Sequence, residues 1–455
     1  MTASNGGCAL ASSDNDRSCE ALENSKMSLR VRPYLTLVQS ARALALVALA
    51  IASAGPQREA NAKPTGLGRS PAAAPATPPQ MTGNSGSFAA FIETLWPEAK
   101  AAGVSRATFD AAFAGVQIDP KVLERTKEQA EFERTIRDYL ASAVSERQVE
   151  EGRALAAKWR DTLDVIERRF GVDRYILIAL WGLESNYGAG IGGKDVISSL
   201  ASLAFIDFRG GLFRDELIDA LVILEHGHVA RAAMKGSWAG AMGQAQFMPS
   251  SFMKYAIAFD GGTRKDIWTN PQDVLASIAN FLKMNSWRTN LPASFEVTLP
   301  ASFSYLPAQA SFAEWKSRGV SRPDGEALPS GGEALLFFPV GSRGPAFLIT
   351  ENFFVLKNYN TSDSYALAAG LLAERIRGSR GIHASWPSVI ERLDHGQRLE
   401  AQKLLQRLGL YDDKLDGHLG PALREATRRF QAQIGLVPDG FPTPLMLERL
   451  RGASD

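Results

Sequence analysis

The stretch Asp173–Glu184, DRYILIALWGLE, is apolar at nearly every position, and that density predicts a buried helix. Ile176, Leu180 and Glu184 fall four apart on one face, so the helix carries a carboxylate into an apolar setting. Upstream, Leu155, Trp159, Leu163, Ile166 and Phe170 step by four, four, three and four and predict one amphipathic helix. Gly171 is placed to stop it, and Asp173 to cap the next. Helical patterning holds from Phe88 to about Asn290. Its character changes between Pro292 and Thr350, where FEVTL, ALLFFPV and AFLIT are short, apolar or alternating, and bounded by Pro and Gly. These predict a few strands, and helix returns over Ser364–Arg377. The fold class is therefore mainly α (α+β), with a small β insertion.

The C-terminal stretch Leu393–Leu450 has its own rhythm. Leu405-Gln406 leads through Gly409-Leu410 to Asp416-Gly417, and Phe430-Gln431 leads through Gly435-Leu436 to Asp439-Gly440. Each copy reads as an amphipathic helix, a Gly stop and an Asp-Gly turn. Two low-complexity stretches separate the parts. Lys63–Ser87 is rich in Pro, Ala, Gly, Thr and Ser and reads as a flexible tether, and Gly378–Pro387 as a second linker. The division expected is 1–62 signal region with an N-terminal extension, 63–87 linker, 88–377 main domain, 378–391 linker and 392–453 tail domain.

The N-terminus changes the picture of where the chain works. Arg30, Arg32 and Arg42 precede the short apolar run Ala43–Ala54, and small residues follow at Ala52-Ser53-Ala54 and Ala60-Asn61-Ala62. That is the form of a secretory signal, too short in its apolar part to span a bilayer comfortably. No cysteine follows the run, so export to the periplasm as a soluble protein without a lipid anchor is expected. Cys8 and Cys19 both precede the expected mature start, which excludes disulfide and thiol chemistry from the folded part. Charge is balanced, 50 basic residues against 49 acidic, so nothing suggests a nucleic-acid binder.

The candidate chemistry centres on Glu184. Burial disfavours the charged form of a carboxylate and raises its pKa. A carboxylic acid still protonated near neutral pH is what a glycosidase needs to protonate a leaving oxygen. Glu184 lies in GLESNYG, which is followed by GSWAGAMGQAQFMPSSF (Gly236–Phe252) and KNYNTSDSYALA (Lys357–Ala368). The three motifs, in this order over about residues 88–377, resemble the lytic murein transglycosylases of the membrane-bound B type, glycoside hydrolase family 103. The tail resembles the small three-helix peptidoglycan-binding domain joined to many wall-active enzymes, with Leu423 where that family usually has Thr.

The resemblance implies a lysozyme-like helical catalytic domain that binds peptidoglycan glycan strands. It implies cleavage of the bond between N-acetylmuramic acid and N-acetylglucosamine without water, leaving 1,6-anhydro ends, with Glu184 as acid and then base. One carboxylate suffices when the sugar's own C6 hydroxyl is the nucleophile, and none of Ser185, Asn186 and Tyr187 is acidic. By the same resemblance Ser237 bonds Glu184 or the reacting sugar and Gln246 binds the glycan. Tyr139, Tyr359 and Tyr365 line the groove with Asn360 as a polar partner, and Phe281 stands where the family has another groove tyrosine. Gly236, Gly240 and Gly243 let backbone approach ligand closely.

No cofactor and no metal are expected. Some relatives carry an EF-hand-like calcium loop, and the matching stretch here, Ala258–Trp268, has only Asp260 and Asp266 as acidic residues. His226 and His228 lie two apart and read as a solvated helix end. Two rival readings remain: a hydrolytic lysozyme on the same fold, and a non-catalytic peptidoglycan-binding scaffold. The intact Glu184, Ser237 and Gln246 argue against the second.

Overall fold

The structure is a computed structural model and describes residues 85–128 and 135–454. The signal region, the cysteines and the first linker as far as residue 84 lie outside the described residues, and the last three residues assigned to that linker instead open the helix Ser85–Thr94. The main region is a helical body interrupted by two small antiparallel sheets. The first pairs β1 (Lys194–Asp195) with β2 (Lys235–Gly236), in register Lys194 with Gly236. The second contains β3 (Ser294–Val297), β4 (Gln309–Ser311), β5 (Glu333–Phe337) and β6 (Ala346–Ile349) in the order β3-β6-β5-β4. The three strand segments expected from the sequence are there. Short β4 and the helix Phe312–Ser317 behind it are additional. That helix closes the sheet's core with Phe312 and Trp315, packed with Phe295, Val297, Leu336 and Leu348.

The helix Arg174–Ser185 is the spine of the site. Asp173 caps it, its carboxylate accepting from the N–H groups of Tyr175 and Ile176 at 2.9 and 3.4 Å. Gly171, left-handed at φ 67°, ends the preceding helix, as the sequence predicts. That preceding segment is not one helix. It divides into Glu146–Lys158 and Arg160–Phe170, because Trp159 leaves helical geometry at φ −98° and ψ 19°. Across the spine run the helices Glu351–Tyr359 and Asp363–Arg377, joined by a short turn.

The tail folds as three helices, His395–Arg407, Pro421–Gln433 and Pro444–Ser454. Leu405, Leu423, Phe430, Met446 and Leu447 fill its core. The repeat is real, but its register differs from the sequence reading. Gln402, not Gln406, is the counterpart of Gln431. Gln402 Oε1 accepts from the N–H groups of Asp416 and Gly417, and its Nε2 donates to Asp416 Oδ1. Gln431 Oε1 likewise accepts from the Gly440 N–H, and its Nε2 donates to Asp439 Oδ1. Each buried glutamine satisfies the backbone of one Asp-Gly turn.

Candidate active site

Glu184 lies in the last turn of the spine helix and is 3% exposed. The residues after it build the stop that fixes its position. Asn186 and Tyr187 are both left-handed, at φ 48° and 56°. The N–H of Asn186 donates to Gly182 O and that of Tyr187 to Trp181 O, closing the helix end. Ser185 Oγ accepts from the Gly188 N–H at 3.0 Å. The Tyr187 hydroxyl donates to Gln148 O at 2.6 Å, and Asn186 Oδ1 accepts from Gln148 Nε2. The Tyr187 ring folds back over Gly182, where a Cβ would meet it at 2.6 Å. GLESNYG is therefore a helix terminator wrapped around one carboxylate. The non-glycine left-handed residues are strain held in place by these bonds.

The partner of Glu184 is Tyr365, whose hydroxyl donates to Oε1 at 2.5 Å. Burial pushes the Glu184 carboxyl up to about 8, and the Tyr365 hydrogen bond lowers it only in part. No charged side chain adds to those two influences. The carboxyl also stands at the negative end of its own helix, which favours the protonated form. The Tyr365 ring stacks with Tyr359, centroids 6.5 Å apart. Tyr359 donates its hydroxyl to Ala245 O at 2.6 Å and packs on Phe281 at 4.7 Å.

The sequence-predicted residues divide on this geometry. Glu184, Tyr365, Tyr359 and Phe281 form one continuous stack. Phe281 is buried among Phe247, Tyr255 and Tyr359, so it supports the stack from behind. Tyr139 is half-buried and close enough for its field to reach Tyr365. Asn360 is buried, with Oδ1 accepting from the Ser362 N–H across the turn between the two helices. Ser237 does not bond Glu184. Its Oγ accepts from the Ala241 N–H at 3.1 Å, and Tyr365 holds the carboxylate instead. Gln246 is buried at φ 48°, with Nε2 donating to Ile191 O and Gly243 O. It ties the loop after Glu184 to the glycine-rich loop. The glycines of that loop meet protein: a Cβ at Gly236, Gly240 or Gly243 would strike Ala241 O, Leu200 or Ile267 O within 2.6 Å.

Of the two histidines, one differs from expectation. His226 is exposed at a helix end, but His228 is buried, and its Nδ1 accepts from the Lys265 N–H at 3.2 Å. Burial, with Lys265, His226 and Arg264 nearby, lowers the His228 pKa, consistent with a neutral acceptor.

A lone, protonatable carboxylate under stacked tyrosines, on a mainly helical body with a small sheet, defines a glycan-cleaving enzyme of the lysozyme-like class. The chain belongs to the transglycosylase SLT family: the Transglycosylase SLT domain matches residues 87–374, and a peptidoglycan binding domain matches 394–450. It is a lytic transglycosylase of peptidoglycan. It is 43% identical to SltB3 from Pseudomonas aeruginosa, over 80% of this chain and 99% of that one, at a TM-score of 0.74. It is 28% identical over 250 residues to membrane-bound lytic murein transglycosylase B of Escherichia coli (strain K12), covering 53% of this chain and 67% of that protein. The Escherichia coli lytic transglycosylase Slt35, solved in complex with calcium, shares the fold at 24% identity and a TM-score of 0.54.

The loop 258–268 does not fit such an ion. Asp260 Oδ1 accepts from the Gly262 N–H. Asp266 accepts from Trp268, from Thr269 backbone and from Thr269 hydroxyl, and Arg264 lies 3.6 Å from it. Asp273 takes the N–H groups of Phe259 and Asp266. The loop's carboxylates accept from its own N–H and hydroxyl groups, and the loop carries two cations, Arg264 and Lys265, where calcium calls for more oxygen ligands. Turnover and melting temperature are expected to be unchanged in EDTA. A large loss restored by added calcium is the opposing result.

Proposed function

We propose that Glu184 serves as acid and then base in a non-hydrolytic cleavage of the β-1,4 bond between N-acetylmuramic acid and N-acetylglucosamine. In the first step its proton goes to the glycosidic oxygen, and the C1–O bond breaks. In the second its carboxylate takes the proton of the muramic acid C6 hydroxyl, whose oxygen closes on C1. The ring closure gives a 1,6-anhydro end and returns the proton to Glu184, so no water is consumed. The observation that carries this reading is the setting of the carboxyl: it is buried, its hydrogen-bond partner is a tyrosine hydroxyl, and no charged side chain shifts its proton. A retaining glycosidase with a protein nucleophile sets a second carboxylate about 5 Å away. SltB3 was solved with NAG-anhNAM-pentapeptide and with NAG-NAM-pentapeptide, which supports the same product class here.

The half-buried Tyr139 and Tyr359 are the rings proposed to meet sugar faces. Gln246 and Asn360 act by holding the loops that shape the groove, and Ser237 by closing its turn. The N-terminal signal is proposed to export the chain to the periplasm, without a lipid anchor. No described helix is long and apolar enough to cross a membrane. Purified sacculi digested with the enzyme should yield muropeptides ending in 1,6-anhydro-N-acetylmuramic acid, read by mass spectrometry. Reducing ends that carry oxygen from labelled water would establish a lysozyme instead.

A further inference from the structure

Resting on the reading of Glu184 as the acid, we infer that the C-terminal domain is part of the cleavage machinery, with Arg424 a positioning residue for Tyr365. The sequence suggests a tail that folds and acts apart from the groove. The contacts are otherwise. Arg424, on the Pro421–Gln433 helix, has a side chain only 9% exposed, and it leaves its own domain. Its Nε and Nη2 lie 3.3 and 3.2 Å from Asp363 Oδ2, its Nη1 donates to Phe338 O, and its guanidinium stands 4.6 Å from the centre of the Phe337 ring. One turn on, buried Arg428 donates to Leu336 O at 2.9 Å. The second Asp-Gly turn joins them, Asp439 Oδ2 accepting from the Ser342 N–H at 2.8 Å. A guanidinium is taken out of water only where partners replace it, and the partners of Arg424 lie in the main domain.

Asp363 is the meeting point. It is the first residue of the Asp363–Arg377 helix, two residues before Tyr365. Its other partner is Lys357, an ion pair from the Glu351–Tyr359 helix that carries Tyr359. Burial would raise the Asp363 carboxyl, but Lys357 and Arg424 hold it below its ordinary range, so the charge is kept. One carboxylate thus joins both tyrosine-bearing helices to the tail. Lys357 and Arg424 face Asp363; Tyr365 and Tyr359 are the titratable groups facing Glu184. Tyr365 must reach Glu184 within hydrogen-bond distance, and a start of its helix that drifts carries the hydroxyl with it.

The test uses full-length Arg424→Gln and Arg424→Lys on a short soluble glycan, where avidity for the wall plays no part. Arg424→Gln should lower kcat about tenfold with KM within about twofold. Its alkaline limb should move up, because Glu184 loses the hydrogen bond that lowers its pKa. Arg424→Lys keeps the charge without the fork and should recover part of both. Wild-type kcat and pH limb in Arg424→Gln overturn the proposal. If that variant does not fold, the same wild-type values in Arg424→Lys overturn it. Glu184→Gln runs alongside: if it retains turnover, the acid assignment has failed, and that result is distinct from a failure of the coupling.

Discussion

Glu184→Gln is expected to abolish cleavage and to make the protein more stable at neutral pH. Gln keeps the shape and can still accept the Tyr365 hydroxyl bond, but it delivers no proton and takes none. Losing a group that serves both steps should lower kcat at least about 100-fold to 10,000-fold. The stability change follows from the raised pKa, which moves from 4.5 in an ordinary glutamate to about 8 here. The folded state therefore keeps its proton where the unfolded chain has lost it. The contribution is fully present below the ordinary glutamate range and is lost as pH rises toward 8. Between pH 5 and pH 7.5 wild-type stability should fall by on the order of 3 kcal/mol from this group alone. Glu184→Gln should not show that fall. Wild-type kcat/KM should hold through neutral pH and decline above about 8, where the acid is deprotonated before it meets substrate. Retention of more than a tenth of wild-type turnover by the variant means another group supplies the proton.

What could be read from the sequence was whatever is encoded locally. The density of apolar residues over 176–182 marks the spine helix, and burial of Glu184 follows from its position on that helix. Asp173 and Gly171 announce a cap and a stop through their own backbone preferences, and both hold. Trp159 did not show itself, because an apolar step at four residues looks the same whether the chain continues or turns. Short β4 lies within residues 308–312, where the apolar/polar alternation rests on two alanines and spans too few residues to stand out.

The partnerships across the chain were the illegible part. Tyr365 reads as a groove tyrosine, and only the fold reveals that its hydroxyl meets a carboxylate 181 positions away. The backbone bonds of Ser237, Gln246 and Asn360 were hidden for the same reason: a polar side chain in a motif can serve ligand or backbone, and composition does not say which. Arg424 and Arg428 sit in a helix, with the run LREATRR, that looks solvated on its polar face until the main domain is placed against it. The identity of the enzyme was readable from three short motifs; how those motifs hold one another was not.

Gly236→Ala and Gly192→Ala are expected to cripple the enzyme, while Gly193→Ala leaves it unchanged. The three residues lie where β1, β2 and the glycine-rich loop approach one another. A Cβ on Gly236 would sit 2.0 Å from Ala241 O and 3.1 Å from Val196 Cγ2. The first atom is backbone, in the turn closed by Ser237 N–H to Ala241 O at 2.8 Å, so no rotamer change makes room. A Cβ on Gly192 would sit 2.2 Å from Gly236 O, and Gly192 is at φ +85° besides. Either methyl must push the loop aside. That loop carries Ala245 O, which receives the Tyr359 hydroxyl, and Gln246, which binds Ile191 O. The disturbance passes from there through Tyr359 to Tyr365 and the acid. Overpacking against backbone costs about 1–3 kcal/mol, and a misplacement near 1 Å at the reacting groups can cost about 100-fold in rate. Melting temperature and kcat should therefore fall together in both variants. Gly193, next in sequence, has open space around it and no left-handed φ, so its alanine should stay within about twofold of wild type in kcat and within about 0.5 kcal/mol in stability. Equal behaviour of Gly192→Ala and Gly193→Ala would show that the loop is loose enough to absorb a methyl group, and that its glycines are not what sets the distance between β1 and the turn.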